Sequence, residues 1–485
     1  MSTIGRREFL WTAAAAAVSG AAASSQRIVV VGAGLAGLRF AHEMWVQHGV
    51  AVTVYEANTR LGGRVWTNRG FFADGQIAEH GAEFISTEHA SMRRLAKRFG
   101  LRLDVVNGGS NSAGADVGWF DGAYYRMGQI NADLSKLQPK IDAAYNSAPF
   151  PQTYNNHTAA AFTLDNTPAN VWIDNNVEGG SASRLGRLLL TVLLAEYGCE
   201  PSQQSALNLI YLLGGNGPGG LAGTDEKYHV HGGNDQIPAM LASALPAGAI
   251  VTDAALVALK QNSDQRYTCT FSQGARVFDV SADHVVLALP FNKLKLVELS
   301  KANFSTVKMM AIDRYALGTN CKLPAQFNSR PWANPDGWSG VAYTAPDNIQ
   351  ETWEVTVAQK GAAGILVDYL AGDAGGLNAF PGSPPHGPAP ANAVAKFLDT
   401  VDGPFPGTKA AYNGLSYLDW WATDPFIGGA YGCYQAGQIT AFAGIEALRE
   451  GNVHFCGEQT SLNFQGYMEG AVESAERLAN RWPIL

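Results

Sequence analysis

Charge is scarce in this chain of 485 residues. Asp, Glu, Lys and Arg make up 16% of it, and 42 acidic against 34 basic residues leave a formal net charge of −8. No run of Lys or Arg occurs, so an acidic chain without a basic patch excludes nucleic acid as the expected partner. Cysteine is scarcer still. Cys199, Cys269, Cys321, Cys433 and Cys456 are scattered without a CxxC pair, which argues against a disulfide framework and a zinc site, and no metal is expected. Apolar runs of membrane length are missing too. The alanine-rich stretch from Trp11 to Ala23 falls short of the roughly 20 residues that span a bilayer as a helix. Disorder is equally excluded, because 46% hydrophobic residues suffice for sizeable cores.

What is present is concentrated first between Arg27 and Glu56. Ile28 to Val31 is a short apolar, β-branched run that reads as a buried parallel strand. Gly32, Gly34 and Gly37 follow in GxGxxG spacing, a helical stretch begins at Leu35, and a second strand from Ala51 to Tyr55 ends at Glu56. Gly32 permits the tight turn, Gly34 admits a pyrophosphate to the backbone, and Gly37 lets helix and strand pack closely. The free N–H groups of the helix start favour the phosphates, and Glu56 is placed to accept from a ribose hydroxyl. The unit reads as a dinucleotide site.

Ahead of it, Arg6-Arg7-Glu8-Phe9-Leu10 resembles a twin-arginine export signal, with Ala21 to Ala23 as a small-residue cleavage region. Residues 1–26 are therefore expected to be a leader, and the mature protein to be periplasmic or secreted.

Farther on, Arg60-Leu61-Gly62-Gly63-Arg64 offers glycine backbone and a guanidinium for phosphate. Glu79 to Ile85 brings backbone close again in a short strand. Helices are expected over Ser91–Phe99, Asp133–Ala144, Ser183–Glu196 and Asn303–Ala316, and a flexible glycine-rich loop over Gly214–Gly223. Ala254–Leu259, Tyr267–Phe271 and Val277–Val280 read as a β-meander, and Ala282 to Leu289 as a buried strand. His229, His231 and His284 lie on strands without ligand spacing and read as structural. Phe380 to Pro390 reads as a loosely ordered, proline-rich surface loop.

The GxGxxG unit with Glu56, Leu61-Gly-Gly-Arg64, Phe455-Cys-Gly-Glu458 and Gly466-Tyr-Met-Glu-Gly-Ala-Val472 together resemble the flavin-containing amine oxidase family, which includes monoamine, polyamine and L-amino-acid oxidases. The resemblance runs from about Arg27 to Arg481 and is weakest from Asn107 to Gly223. It implies an α/β fold with a Rossmann-like FAD-binding domain (GR2-type) assembled from residues 27–90, 225–300 and 428–485. An α+β substrate-binding domain would comprise 91–224 and 301–427.

Carried over by position, Gly32, Gly34, Gly37, Glu56 and Arg64 match the adenosine and pyrophosphate contacts. Neighbouring Ala36, Ala57 and Gly63 belong with them, and Val257 falls at the adenine backbone contact. Gly81, Ala82, Glu83 and Phe84 supply the later close approach. Gly457, Glu458, Tyr467, Met468 and Ala471 match the segment along the ribityl chain and isoalloxazine. Lys322 matches a lysine that holds water near flavin N5. Tyr431 and Tyr467 match the aromatic cage in front of the flavin.

The implied activity is oxidation of an amine by hydride transfer from its α-carbon to flavin N5. The imine is hydrolysed to aldehyde or ketone and ammonia, and oxygen reoxidises the flavin with release of hydrogen peroxide. These residue types suit that chemistry. A protonated amine has no lone pair with which to expel hydride, and two rings in a low-dielectric slot disfavour the ammonium form. A nearby lysine can stabilise anionic species formed with oxygen.

Two departures qualify the resemblance. Where some members tether the flavin through a cysteine, this chain has Ala430, so non-covalent FAD is expected. The stretch Gly81 to Ser86 lacks the arginine with which amino-acid oxidases commonly bind a carboxylate, leaving Arg93 and Arg94 as the nearest substitutes. The expected partner is a small-molecule amine, with oxygen or an electron carrier as acceptor and a homodimer left open. The alternatives are an L-amino-acid oxidase, an amine dehydrogenase with another acceptor, a desaturase related through the N-terminal motifs, and a flavin-binding protein without turnover.

Overall fold

Ile28–Val31 is the middle strand of a five-stranded parallel sheet ordered Val453–Phe455, His284–Leu287, Ile28–Val31, Thr53–Tyr55, Ile250–Val251. In the computed structural model, residues 26–107, 115–214, 221, 224–333, 337–346 and 349–482 are described. The sheet is buried on both faces, which is why its central strand is apolar at every position. Alternation sorts those side chains. Val30 and Val286 join Leu38 and Phe40 beneath the helices Leu35–His48 and Met468–Arg481. Val29, Val31 and Leu287 face the meander Ala255–Gln261, Tyr267–Gln273, Arg276–Ala282, where Tyr55 stacks on Phe271 at 4.1 Å. Each fully buried valine contributes about 1.5–3 kcal/mol relative to exposure.

The second large sheet has eight strands in the order His386–Pro388, Tyr412–Asp419, Cys321–Phe327, Gly364–Leu370, Glu351–Glu354, Trp338–Tyr343, Ala115–Phe120, Ala123–Arg126. Helices Met127–Ser147, Arg184–Tyr197 and Ala206–Leu213 contribute to an apolar cluster of their own around Leu189, Leu193, Leu207 and Ile210. Local chemistry sets the ends of Arg184–Tyr197: the Ser183 hydroxyl accepts from Gly186 N–H, and Gly198 closes the helix in the left-handed conformation.

The expected helices are present as Ala90–Arg98, Met127–Ser147, Arg184–Tyr197 and Thr306–Arg314. Met127–Ser147 runs longer at both ends than its apolar pattern suggests, and its start is held by reciprocal bonds between Arg126 and Gln129. Residues 1–25, which carry the twin arginines, and most of the glycine-rich Gly214–Gly223 stretch lie outside the described residues. One expectation fails. The proline-rich segment is not loosely held: His386–Pro388 pairs with Tyr412–Asp419, and Phe380 is buried against Trp420. Composition reports prolines that cannot donate to a ladder. It does not report that an edge strand needs only part of its N–H groups. No helix among the described residues is long and apolar enough to cross a membrane.

Candidate active site

A cavity of about 1330 Å³ lies among the described residues. It exceeds the roughly 300–1,000 Å³ typical of a pocket for one small ligand, leaving room for a dinucleotide and a substrate together. The glycine turn forms one part of its wall. Gly32 has φ +102°, and a Cβ there would sit 2.7 Å from the Ala288 carbonyl oxygen. Gly34 and Ala36 face the cavity, and the space where a Gly34 Cβ would project is open. Gly37 does not line it: its missing Cβ makes room for the Gly32 carbonyl, the packing role its place in the motif calls for. The helix from Leu35 begins with no side-chain cap, so its first N–H groups remain available to an anion.

Glu56 reaches the same wall from the end of the second strand. Its carboxylate accepts from the N–H groups of Ala33 at 2.7 Å and Asn58 at 2.8 Å, while burial, the larger effect, pushes its pKa up. Ala57, Gly63, Gly81, Ala82, Glu83, Phe84, Val257, Gly457, Met468 and Ala471 all line the cavity. Arg64 lines it as well, but its Nη1 is already engaged by the Ala430 carbonyl at 2.6 Å and Glu458 Oε1 at 3.0 Å. That pair ties the Arg64 loop to the last motif of the chain. An open glycine cradle, an uncapped helix start and an acceptor carboxylate are the donor and acceptor set that FAD requires.

Lys322, Tyr431 and Tyr467 meet in the same cavity. Gly466, next to Tyr467, leaves Tyr431 ring atoms 3.8 Å from where a Cβ would stand. Tyr431 Oη donates to the Ala195 carbonyl at 2.5 Å and lies 2.8 Å from Tyr369 Oη. Burial raises the pKa of both cage tyrosines, so neither ring carries charge at neutral pH. Lys322 sits on the buried strand Cys321–Phe327 and donates to Glu83 Oε2 at 2.5 Å, the Gly81 carbonyl at 2.9 Å and the Glu79 carbonyl at 3.4 Å. Its three N–H donors are thus all directed at protein acceptors, the last weakly.

Strand register adds residues that no motif marks. Asp419, Lys322, Tyr369, Glu351 and Tyr343 are paired in turn across five neighbouring strands, so they project from one face. Trp353, two residues along from Glu351, donates through Nε1 to Glu83 at 3.2 Å. Glu83 therefore braces Lys322 and Trp353 as well as lining the cavity. Tyr369, Trp353 and Glu351 are far from Lys322 in the chain, and no local pattern could have found them. Arg93 and Arg94 are exposed, bonded to Thr87 O and to Ser91 and Glu476 respectively, and outside the cavity lining.

The expected structural histidines stay apart. His229 pairs with Glu79 at 2.8 Å, His231 with Asp104 at 2.7 Å, and His284 meets His454 at 3.3 Å. Among the described residues, the group with metal-ligand proximity is another, His80, His386 and Asp419. Both Nδ1 atoms lie 2.7 Å from the same Asp419 Oδ1, so these donors are committed to one another.

Comparison with known proteins agrees with this geometry. A protein of Mycobacterium tuberculosis described as a flavin-containing monoamine oxidase, AofH, is 26% identical over 467 residues, covering 93% of this chain and 95% of that one. A Bacillus subtilis protein described as an L-amino-acid oxidase, YobN, is 24% identical over 491 residues, covering 94% and 95%. Cyclohexylamine oxidase from Brevibacterium oxydans superposes with a TM-score of 0.79 at 21% identity over 94% of this chain and 99% of its own, a likeness of fold. The profile of the "Flavin containing amine oxidoreductase" family matches residues 35–481, and the chain belongs to that family.

Proposed function

We propose that this protein oxidises small amines that lack a carboxylate, binding FAD non-covalently and delivering electrons to oxygen. As a member of its family it is a flavin-dependent oxidoreductase with FAD as cofactor. FAD supplies the hydride acceptor; the chain's residues bind, orient and exclude. The observation that carries the reading is the convergence of Tyr431, Tyr467 and the Lys322–Glu83 pair on the cavity that also holds the glycine turn.

Residues 27–90, 225–300 and 428–485 would hold FAD, with 91–224 and 301–427 shaping the substrate space. Tyr431 and Tyr467 flank the amine and favour its neutral form. Tyr369 and the Ala195 carbonyl fix the Tyr431 ring through its hydroxyl. Lys322 holds a water by yielding its long bond to Glu79, the only one of its three at 3.4 Å. The position of Arg93 and Arg94 outside the cavity supports an amine over an amino acid. A screen of amines against amino acids, with peroxide as readout, tests this: peroxide from amines supports it, and peroxide from amino acids alone overturns it.

Export through the twin-arginine route is part of the same proposal, because that route carries folded proteins with cofactor already loaded. Arg6→Lys with Arg7→Lys should retain active enzyme in the cytoplasm on cell fractionation. Normal export of the double variant would contradict it.

A further inference from the structure

Four glutamates of the cavity wall have no part in amine oxidation as described: Glu354, which is paired with Arg330, and Glu196, Glu226 and Glu351. The last three arrive from separate places. Glu196 lies in the last turn of the helix Arg184–Tyr197, Glu226 just before the strand Tyr228–Val230, and Glu351 opens the strand Glu351–Glu354. Bonds to the cage locate two of them. The carbonyl of Ala195, next to Glu196, accepts from Tyr431 Oη. Glu351 is paired across the sheet with Tyr369, whose hydroxyl meets that of Tyr431, and Lys322 is the next residue in the same row. Glu351 thus stands two strand spacings, ~10 Å, from the lysine.

Their grouping runs against ordinary electrostatics. The last turn of a helix carries partial negative charge and disfavours a carboxylate there. Glu196 is half-buried and lines the cavity, and its carboxylate has no hydrogen-bond or ion-pair partner among the described residues. The carboxylate of Glu226 has none either. Of the four cations lining the cavity, Lys322 is paired with Glu83, Arg64 with Glu458 and Arg60 with the Leu61 and Gly63 carbonyls, while Lys293 has Asp424 as its charged neighbour. Segments 108–114 and 215–223 contain no Lys, Arg or His in sequence. Burial is the first cause for all three; after it, Glu226 and Glu351 help push Glu196 well up, Glu83 helps push Glu226 to about 7 against the pull of Lys322, and Glu226 helps push Glu351 to about 8. Glu351 accepts from Tyr343, but the unpartnered carboxylates of Glu196 and Glu226 are costly unless a cation joins them.

We infer that the substrate carries a second cationic group, held by Glu196, Glu226 and Glu351 while its reacting amine lies between Tyr431 and Tyr467; the substrate class is a di- or polyamine. The inference rests on the amine-oxidising reading and narrows it. A separate subsite for the charged end also separates two demands, since the reacting nitrogen has to be neutral and the distant one charged.

The test compares putrescine, cadaverine and spermidine with butylamine and pentylamine, by steady-state peroxide production and by anaerobic flavin reduction. The diamine should exceed the monoamine of equal chain length in kcat/KM by about tenfold or more, with most of the difference in KM. Glu196→Gln and Glu351→Gln should each lower that diamine-to-monoamine ratio by about tenfold, in variants whose bound-flavin absorbance shows them folded. Equal efficiencies in the wild-type enzyme, or a ratio that survives both substitutions, would overturn the subsite and leave amine oxidation standing. Failure of every amine to reduce the flavin would overturn both.

Discussion

The ammonium of Lys322 lies 2.5 Å from Oε2 of Glu83, and both side chains are buried. Such a pair binds two chain regions, the strand Cys321–Phe327 and the backbone approach at Gly81–Phe84, at the point where cofactor and substrate space meet. Removing either partner alone leaves a buried charge uncompensated, at a cost of about 3–5 kcal/mol. Lys322→Met and Glu83→Gln should therefore each destabilise strongly in denaturant titrations, and the double variant by less than their sum. Strictly additive losses would contradict a direct pairing.

Chemistry separates the two single variants. Lys322→Met removes the donors for a water at the flavin, so flavin reoxidation by oxygen should slow by ~10²-fold while reduction by a good amine slows only modestly. Glu83→Gln keeps the ammonium and should retain most of the reoxidation rate. Equal reoxidation in wild type and Lys322→Met, measured by stopped flow, would remove the lysine from the reaction with oxygen. An electron carrier would then be the better acceptor.

Burial pulls the His386 pKa down, but bonds to Asp419 and Asp424 outweigh it and bring the group up to about 9. An unfolded histidine titrates near 6.5. Between these values the folded state binds more protons than the unfolded one, so this contribution is full below about 6.5 and is lost as pH rises through about 9, with a slope approaching 1.4 kcal/mol per pH unit. His386→Gln should flatten that fall in thermal unfolding measured from pH 6 to pH 10. A wild-type profile with no decline across the window would contradict the charged network of His386, Asp419 and Asp424.

The flavin attachment is checked directly. Ala430 lines the cavity where a tethering cysteine would stand, and Cys433, buried, lies three residues on. Acid precipitation should release the flavin into the supernatant. Yellow colour kept in the pellet would mean a covalent bond.

What the sequence made legible was local. Gly32, Gly34, Gly37 and Glu56 act within one strand–turn–helix–strand unit, so spacing alone shows their job. The meander and the helices Ala90–Arg98, Met127–Ser147, Arg184–Tyr197 and Thr306–Arg314 follow from periodicity in the same way, whereas Ala159–Asp165, Ala169–Asn176, Ala206–Leu213 and Ala391–Val401 do not. Tyr369, Trp353 and Glu351 reach Lys322 only through the pairing of strands far apart in the chain, and nothing in their neighbourhoods announces it. His386 is the sharpest case. Its segment reads as loose from its prolines, yet two carboxylates and an edge-strand pairing hold it, all supplied from Asp419, Asp424 and the strand beside them.

Oxidation of amines through FAD in this cavity is tested most directly by mixing the purified yellow protein anaerobically with a panel of amines and amino acids. Complete bleaching of the oxidised flavin absorbance by amines, and not by amino acids, is the predicted result. A flavin that stays oxidised with every amine, or that only amino acids reduce, would contradict it.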